Sequence, residues 1–554
     1  MNITRVSVDS AGNQGNPLPF SFTSPSISPD GRFVAFASPA SNLVPGDTNA
    51  SNDVFVRDTL ANTTTRVSVD SAGNQTFGDS YSPSISGNGR FVVFDSLASN
   101  LVPGDTNNRS DIFVRDTLAN TTTRVSVNSA GNQANDYSYF SSITPDGRFV
   151  VFSSNASNLV PGDTNNNIDL FVRDTLANTT TRVSVDSAGN QANREVYGSS
   201  ISADGRFVAF TSFAFNLVPG DTNENYDTFV RDLSTNTTTR VSVNSAGNQA
   251  SGSPGIPSIS ANGRFVVFDS NASNLVPGDT NNTSDIFVRD LLTNTTTRVS
   301  VDSAGNEANK FSSNPSISGD GRFVTFASTA SNLVPGDTNE NYDVFVRDTL
   351  ANTTARVSVD SSGNEGNNES SDSSISADGH RVVFSSDATN LVPGDTNNTL
   401  DVFVSDIGNT PGNNPPDNNI NGTLGNDILT GTNGNDIING LRGNDIFTGG
   451  GGNDYLSGGK GFDTLNGGLG NDILVGGAGN DVFVLGAGLG VDTIADFANS
   501  QDTVQLINGL TFGQLSISPG TDGTLITVAS SGEVLASLIG IAPNLIGSED
   551  FISV

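Results

Sequence analysis

The chain has 554 residues and a formal net charge of −33, because 58 acidic side chains stand against 25 basic ones. A surface of this charge repels nucleic acid and anionic membranes, so neither is an expected partner, whereas cations are. The absence of cysteine excludes disulfide bonds, thiol catalysis and cysteine-ligated zinc. No stretch is long and apolar enough to span a bilayer, and the first residues lack an export signal, so we expect any export to be signalled elsewhere.

A 58-residue unit recurs along the first three quarters of the chain. Its recurring stretch covers residues 83–132 in one copy and contains the run GRFVVFDS followed by NLVPGDTN. A period of this length indicates a repeat architecture built from equivalent structural units. An isoleucine marks the same place in each of seven copies: Ile27, Ile85, Ile143, Ile201, Ile259, Ile317 and Ile375.

Each unit contains four short runs rich in Val, Ile, Phe and Thr, separated by Gly, Pro, Asn and Asp, which is typical of β-strands. The run Phe91-Val92-Val93-Phe94 is apolar on both sides of the pleat, so this strand must be covered on both faces. Blades stacked around a ring cover it in that way. The sequence therefore predicts a seven-bladed β-propeller over residues 1–406.

The two ends of the repeat region complement each other. Residues 4–9 match the fourth strand of a unit but follow no other strand, and the seventh unit lacks its own fourth strand after residues 401–406. We expect the N-terminal strand to complete blade seven, because an open array would leave two exposed strand edges.

The run Ser-Pro-Asp-Gly-Arg-Phe-Val-Ala-Phe at residues 28–36, with its variants in the other copies, resembles the repeat of TolB-like propellers. The resemblance covers residues 1–406 and implies the propeller fold. It implies little about function, since propellers of this kind serve as binding modules, as peptidase domains and as lyases.

The copies differ from one another mainly in one connection, which leads from the fourth strand of a unit to the next unit. Aromatic residues in polar loops suit stacking on sugars or anchoring of a protein partner, although drift in unconstrained loops is the alternative. The variable segments are residues 77–82, 135–140, 193–198, 251–256, 309–314 and 367–372. Six of the seven tyrosines lie in these segments or in the loops between the second and third strands: Tyr81, Tyr137, Tyr139, Tyr197, Tyr226 and Tyr342.

Every unit also carries Asp-x-Asn-x-x-x-Asp before its third strand. Oxygen-bearing side chains in this pattern resemble the calcium loops of other propellers, although the usual second Asp is missing and turn capping is an equal alternative. The residues are Asp47, Asn49, Asp53, Asp105, Asn107, Asp111, Asp163, Asn165, Asp169, Asp221, Asn223, Asp227, Asp279, Asn281, Asp285, Asp337, Asn339, Asp343, Asp395, Asn397 and Asp401.

A linker is predicted at residues 407–419, which read IGNTPGNNPPDNN, and a nine-residue repeat follows at residues 420–483. Each nonapeptide contains Gly-x-Asp and, two residues after the Asp, one large apolar residue. We expect that residue to fill the core of a parallel β-roll. The apolar positions are Leu429, Ile438, Phe447, Leu456, Leu465, Leu474 and Phe483.

This repeat resembles the calcium-binding nonapeptide of RTX proteins. The resemblance implies Ca²⁺ as the cofactor, held in stacked turns by carboxylate oxygens and by carbonyls that glycine exposes. Phe462 stands where the other units have Asn, which weakens the case for that turn alone. The implied metal-binding residues are Gly425, Asp427, Gly434, Asp436, Gly443, Asp445, Gly452, Asp454, Gly461, Asp463, Gly470, Asp472, Gly479 and Asp481.

Residues 484–554 are predicted to form a β-rich cap that ends in a type I secretion signal. The chain closes with Glu549-Asp550-Phe551-Ile552-Ser553-Val554, and an acidic residue followed by apolar ones resembles that uncleaved signal. The resemblance implies a type I secretion apparatus as a partner and a location outside the cell or on its surface.

Catalysis has little support in the sequence, which carries no nucleophile elbow, HExxH motif or phosphate loop. The single histidine, His380, takes the place of a turn arginine. The fold class is thus all-β, a propeller followed by a β-roll with a cap. We expect a secreted calcium-binding protein whose propeller recognises a glycan or a cell-surface protein. The alternative is an extracellular lyase or hydrolase that acts on polysaccharide, since the plentiful carboxylates could supply a catalytic pair.

Overall fold

The structure is a computed structural model that describes residues 2–16, 24–407, 419–431, 436–452, 454–520 and 523–553. It divides into two compact units, Met1–Ile407 and Gly408–Val554. The predicted linker lies almost wholly outside the described residues. Within the described ranges, no helix has the length and apolar character needed to cross a membrane.

The first unit is built only of β-strands in its described parts. In chain order they are β1 (Asn2–Arg5), β2 (Ser26–Ile27), β3 (Phe33–Ser38), β4 (Asp53–Asp58), β5 (Thr63–Arg66), β6 (Ser80–Ile85), β7 (Phe91–Ser96), β8 (Asp111–Asp116), β9 (Thr121–Arg124), β10 (Ser138–Ile143), β11 (Phe149–Ser154), β12 (Asp169–Asp174), β13 (Thr179–Arg182), β14 (Val196–Ile201), β15 (Phe207–Ser212), β16 (Asp227–Asp232), β17 (Thr237–Arg240), β18 (Ser258–Ile259), β19 (Phe265–Ser270), β20 (Asp285–Asp290), β21 (Thr295–Arg298), β22 (Ser312–Ile317), β23 (Phe323–Ser328), β24 (Asp343–Asp348), β25 (Thr353–Arg356), β26 (Ser370–Ile375), β27 (Arg381–Ser386) and β28 (Asp401–Asp406).

These strands form seven four-stranded antiparallel sheets within the described residues, one for each 58-residue unit. The first strand of every unit contacts the first strands of both neighbouring units, and β26 contacts β2, so the sheets close into a ring. The first strands are therefore the innermost and surround the central channel. The predicted seven-bladed propeller is confirmed.

Phenylalanine holds each blade together and joins it to the next blade. In the second blade the rings of Phe94 and Phe113 stack with centroids 6.1 Å apart, and both side chains are fully buried. Phe91 lies against Gly147 of the third blade, where a Cβ atom would come within 2.1 Å of the ring. Gly147 also has a left-handed φ of 76°, so glycine is required there on two grounds.

Strand β1 takes the outer position of the seventh blade. It pairs antiparallel with β28, with Asn2 opposite Asp406 and Arg5 opposite Phe403. Ile3 is buried in the core of this last blade. One sheet thus contains both ends of the repeat region, which leaves β28 without an open edge.

The variable segments differ from expectation in one respect. Tyr81, Tyr139 and Tyr197 were expected in loops, but they lie in the innermost strands β6, β10 and β14. The reason is that the end of each variable segment already pairs with the second strand, as Tyr81 does with Asp95. These side chains therefore line the mouth of the channel, on the face that also carries the loops between the second and third strands.

The second unit contains strands and three short 3-10 helices. They are β29 (Asn419–Asn421), β30 (Ile428–Thr430), β31 (Ile437–Asn439), β32 (Ile446–Gly451), β33 (Tyr455–Lys460), β34 (Thr464–Leu469), β35 (Ile473–Ala478), β36 (Val482–Leu485), β37 (Asp492–Ile494), β38 (Thr503–Leu506), the helix Phe512–Gln514, β39 (Leu515–Pro519), β40 (Gly523–Val528), β41 (Val534–Ile539), the helices Pro543–Leu545 and Ser548–Asp550, and β42 (Phe551–Ser553).

Successive nonapeptides alternate between two parallel sheets, so each strand pairs with the strand 18 residues away. Ile446 lies opposite Thr464 in one sheet, and Tyr455 lies opposite Ile473 in the other. The predicted core residues face inward: Ile438, Phe447, Leu456, Leu465, Leu474 and Phe483 have no exposed surface, and Leu429 packs partly buried at the open end. The predicted β-roll is confirmed.

Closure by β1 can be tested with a matched pair of substitutions in that strand. Ile3→Ala removes a buried side chain and should lower the free energy of unfolding by about 2–5 kcal/mol. Thr4→Ala, at an exposed position of the same strand, should change it by less than about 0.5 kcal/mol. Chemical denaturation followed by circular dichroism measures both. Equal effects of the two substitutions would contradict the packing of β1 into blade seven.

Candidate metal centre

The aspartates of the roll form two ladders, one along each sheet. The backbone N–H of Asp445 donates to Oδ1 of Asp463 at 2.8 Å, and that of Asp463 donates to Oδ1 of Asp481 at 2.9 Å. The ladder along the other sheet has the same bonds, from Asp436 to Asp454 at 2.7 Å. Each carboxylate is thus fixed by the turn 18 residues before it, which leaves its second oxygen for another role.

The second oxygen, Oδ2, is buried and has no hydrogen-bond partner among the described residues in Asp445, Asp463 and Asp481. It faces the first glycine of its own nonapeptide. A Cβ atom on Gly458 would lie 2.4 Å from Oδ2 of Asp463 and 2.6 Å from the carbonyl oxygen of Gly476. This cradle brings a carboxylate oxygen and a carbonyl oxygen together at a place that no side chain can enter.

The first-position glycines were missed by the sequence analysis, although their nine-residue spacing could have revealed them. Each of them meets Oδ2 of the Asp five residues later in the same way as Gly458. They are Gly422, Gly431, Gly440, Gly449, Gly458, Gly467 and Gly476.

The glycines that the sequence did single out also let successive turns stack, where the structure describes them. Gly461 has a φ of 149°, and a Cβ atom there would lie 1.5 Å from the carbonyl oxygen of Gly443. These glycines therefore allow successive turns to stack closely. Left-handed φ values are found at Gly443, Gly452, Gly461, Gly470 and Gly479. Gly425 lies in the first turn without such a value, and Gly434 lies outside the described residues.

Two further aspartates extend the ladders into the cap. Asp472 donates its N–H to Oδ1 of Asp492 at 3.1 Å, and Asp481 donates to Oδ1 of Asp502 at 2.9 Å. Both were assigned only to the cap by the sequence analysis, yet Asp492-Thr493-Ile494 has the same Asp-x-apolar pattern as the nonapeptides. Insertions of two and three residues in the period hide it.

Burial of these carboxylates without a cation is unfavourable. Burial, together with the neighbouring Asp472 carboxylate, raises the pKa of Asp492 to about 7. Burial likewise raises the pKa of Asp472 to about 6 and that of Asp481 to about 6. Closely spaced carboxylates that resist ionisation are the expected signature of a site that a cation stabilises.

The donor set fits calcium. It consists of carboxylate and backbone oxygens in several stacked turns, which suits the hard Ca²⁺ ion with its high and flexible coordination number. The ladder aspartates would hold the ion through Oδ2, together with carbonyl oxygens of the first-position glycines. Phe462 does not disrupt its turn, because its N–H still donates to Oδ1 of Asn444 at 3.0 Å while its ring is exposed.

The propeller loops place the predicted Asp-x-Asn-x-x-x-Asp residues around an arginine. In the first blade the Arg66 guanidinium lies 3.2 Å from both Asp47 and Asp53. Asn49 turns its amide N–H toward Asp53 at 3.2 Å, and its oxygen accepts from the N–H of Ser51 at 3.2 Å. The protein thus supplies its own cation here, and this geometry favours the turn-capping alternative.

The same arginine contact recurs in every blade. The pairs are Arg5 with Asp395 and Asp401, Arg124 with Asp105 and Asp111, Arg182 with Asp163 and Asp169, Arg240 with Asp221 and Asp227, Arg298 with Asp279 and Asp285, and Arg356 with Asp337 and Asp343. The loop asparagines Asn107, Asn165, Asn223, Asn281, Asn339 and Asn397 all donate to the backbone of the following connection.

Two blades carry a third carboxylate in this cluster. Glu307 and Glu365 replace the glutamine of the other blades, and each brings three carboxylate oxygens within 4.8 Å of one another. Arg356 contacts Glu365 at 2.8 Å, and Arg298 contacts Glu307 at 3.2 Å, so an arginine balances part of this charge in both.

His380 lies in the turn between β26 and β27, where its N–H donates to Oδ1 of Asp378 at 3.0 Å. This turn is at the end of the blade opposite the variable segments. Its position therefore does not bring the imidazole to the channel mouth that those segments line.

A side chain placed in the cradle should weaken calcium binding. Gly458→Ala would place a methyl group where Oδ2 of Asp463 and the Gly476 carbonyl converge, so we expect at least a tenfold loss of calcium affinity in that part of the roll. Gly513→Ala is the control, because a Cβ atom there has open space around it. Isothermal titration of the full chain with CaCl₂ measures both. An unchanged affinity in Gly458→Ala would argue against the cradle.

The raised pKa values predict how pH acts on the calcium-free roll. Between about pH 4 and pH 7 the folded roll holds protons on Asp472, Asp481 and Asp492 that an unfolded chain releases. Its stability in a chelator should therefore fall as pH rises through this window. Thermal melts in EDTA at pH 5 and pH 7.5 test this, and a roll equally stable at both values would contradict it.

A comparison with protein families supports the second part of the chain. A family model described as the RTX calcium-binding nonapeptide repeat (4 copies) matches residues 417–447, 448–483 and 457–494. A search of curated proteins found no match.

Solved structures resemble the chain at low sequence identity. TolB from Acinetobacter baumannii is 15% identical with a TM-score of 0.34, and the match covers 59% of this chain and 63% of that one, just under two thirds of its length. Oligogalacturonate lyase from Vibrio parahaemolyticus is 11% identical with a TM-score of 0.44, over 73% and 93%. The β-propeller domain of the Trilobed protease from Pyrococcus furiosus is 11% identical with a TM-score of 0.43, over 70% and 94%. The chain is a seven-bladed β-propeller joined to a domain of RTX calcium-binding nonapeptide repeats.

Proposed function

We propose that the protein is exported by a type I secretion apparatus and acts outside the cell or on its surface. Its roll would fold when it binds calcium, and its propeller would recognise a glycan or a surface protein. The observation that carries the calcium part is the set of buried Oδ2 atoms facing the first-position glycines. The recognition part is supported by the clustering of the variable residues at one mouth of the channel.

The composition of the roll makes its folding depend on a cation. Each nonapeptide contributes one apolar side chain to the core, fully buried in all but the first, while two columns of aspartates run along the turns. The apolar surface is too small to offset the conformational entropy lost by a glycine-rich chain, and the like charges oppose folding further. Bound Ca²⁺ supplies positive charge to these columns, so its binding free energy becomes folding free energy.

A roll that folds only with calcium could pass unfolded through the narrow channel of a secretion apparatus. Cytosolic calcium is low, so the aspartate columns would stay ionised and the roll unfolded until the chain reaches the outside. The acidic and apolar C-terminus, from Glu549 to Val554, is the segment that we propose the apparatus recognises. In the folded cap, Phe551 pairs with Val504, and Asp550 and Phe551 are buried, so these two residues of the signal would be accessible only before the cap folds.

Limited proteolysis of the full chain tests calcium-coupled folding. In EDTA, we expect cleavage throughout residues 420–554 while residues 24–407 stay intact, and in millimolar Ca²⁺ we expect the roll to be protected. Mg²⁺ should not protect it, because that ion needs a tighter octahedral cage. Asp463→Asn with Asp481→Asn should shift protection to higher calcium, whereas Asp302→Asn in the propeller should not. A roll protected in EDTA would sink the proposal.

A further inference from the structure

Five of the innermost strands, β6, β10, β14, β22 and β26, carry a bulge at the channel mouth. In each of these bulges one residue has a left-handed φ of 49° to 59°: Ser82, Phe140, Gly198, Asn314 and Asp372. Ser24 and Ile256 occupy the same place, 58 residues from their neighbours in the repeat. We call these seven residues the mouth ring. Left-handed backbone at non-glycine residues is unfavourable, and strain of this kind is concentrated at functional sites.

The mouth ring is where neighbouring blades meet around the channel. Nδ2 of Asn314 donates to Oδ1 of Asp372 in the next blade at 3.4 Å. A Cβ atom on Gly198 would lie 2.6 Å from the side chain of Ile256 in the next blade. The side chains of the seven residues differ widely in polarity, from Asp and Asn through Ser to Phe and Ile. A position with constant backbone and variable side chain is suited to determining what binds.

Two carboxylates, Asp95 and Asp269, lie next to this ring; Asp95 is buried and Asp269 is half-buried. Each is the next-to-last residue of the second strand, in blades two and five, where the other blades have Ala, Ser or Thr. Asp95 is 8% exposed, and its Oδ1 has no hydrogen-bond partner within the part of the chain that the structure describes. Burial raises the pKa of each to about 6. Asp95 therefore offers an unused acceptor next to the strand that carries Ser82.

The second carboxylate, Asp269, lies beside Gly255, where a Cβ atom would come within 2.2 Å of its Oδ1. Across the blade junction, the Tyr197 hydroxyl donates to the carbonyl of Pro254 at 3.4 Å. The Tyr197 ring meets that of Tyr226 with centroids 5.1 Å apart. The missing side chain at Gly255 leaves this carboxylate close to the mouth, with an aromatic wall beside it.

The aromatic side chains of the mouth are concentrated in blades two to four. Tyr139 and Phe140 pack edge to face with centroids 5.2 Å apart, and Phe140 is 49% exposed. The exposed faces of such rings can stack on the C–H face of a sugar, and nearby carboxylates can accept hydrogen bonds from its hydroxyl groups. Together these groups provide both kinds of contact around the mouth, over blades two to five.

The charged side chains at the mouth indicate which class of ligand can bind there. The basic side chains of the variable segments and their neighbouring loops are already engaged: Arg109 contacts Asp136 at 3.3 Å, Arg194 lies over the Phe213 ring at 5.1 Å, and Lys310 lies 3.9 Å from Glu340. Among the described residues, the ion pairs on this face do not include Asp95, Asp269 or Asp372. An anionic chain would therefore be repelled by the mouth.

We propose that the mouth ring binds a neutral sugar chain, with Tyr139, Phe140 and Tyr197 stacking on its rings and Asp95 and Asp269 accepting from its hydroxyls. This deepens the proposed function, since it rests on the propeller being its recognition module. A basic peptide could use the same carboxylates and rings, but the stacked tyrosines and the polar ring members Ser82, Asn314 and Asp372 favour a polyhydroxylated ligand.

The test uses the full chain in calcium on an array of neutral, uronate-containing and amino-sugar-containing oligosaccharides, with an oligolysine peptide as a further probe. Titration with the strongest neutral binder then compares variants. We expect Asp95→Asn, Asp269→Asn and Tyr197→Ala each to weaken binding at least tenfold. Glu224→Gln, which removes an exposed charge on the same face, and Leu118→Ala, on the opposite face, should leave it unchanged.

Several outcomes would overturn the inference: no neutral oligosaccharide binds, only uronates or oligolysine bind, or the variants bind as tightly as the parent. Tyr139→Ala is a second aromatic test should Tyr197→Ala lower the melting temperature. Calcium protection of the roll, measured on the same preparations, separates the two proposals, since a parent chain that binds no sugar but has a calcium-protected roll overturns only this one. Appearance of shortened or unsaturated products would indicate turnover and favour the enzymatic alternative.

Discussion

The burial of one strand on both faces is the constraint on which the propeller depends. The second strand of each unit is apolar at successive positions, so neither face of a blade can meet water, and only a ring of blades covers all fourteen faces. The Phe-on-glycine contact between blades fixes their spacing, as Phe91 and Gly147 show. Where blade seven has Arg381 in place of that phenylalanine, the side chain lies against Gly31 and donates to its carbonyl at 3.1 Å, so the junction at the seam keeps its contact.

The roll, unlike the propeller, buries too little apolar surface to fold by itself, although it too is built from a repeated sequence. Its core is one side chain thick, from Ile438 to Phe483, and cannot hold the fold against the charge of its own turns. Glycine at the first position lets Oδ2 and a carbonyl converge, and the ladder of N–H bonds to Oδ1 fixes each carboxylate. Folding of the propeller is thus driven by apolar burial, whereas folding of the roll is tied to a cation, which separates the two units in their response to calcium.

Much of the fold could be predicted from the sequence, because a pattern that recurs seven times is clear even where a single copy is ambiguous. Seven copies revealed the blades, and seven nonapeptides revealed the inward apolar residues. Contacts that depend on register were not visible: Tyr81 was expected in a loop because nothing in its segment shows that it pairs with Asp95. Asp492 and Asp502 escaped because insertions break the nine-residue period. The sequence also does not show that Arg66 contacts both Asp47 and Asp53, and this contact is what favours a turn role for Asn49.

The repeat also explains why variation is confined to the mouth of the channel. Positions that stack blades, cap turns or pair with arginine are nearly constant, because each one serves two neighbouring units and a change would have to be accommodated twice. The bulged residues take no part in the Phe-on-glycine, turn-capping or arginine contacts. Their backbone is held by pairing on either side, as Tyr139 with Ser153 and Ser142 with Val151 frame Phe140, so their side chains can change without disturbing the ring. A framework fixed by repetition thereby leaves seven adjacent positions free, and these are the positions from which recognition can evolve.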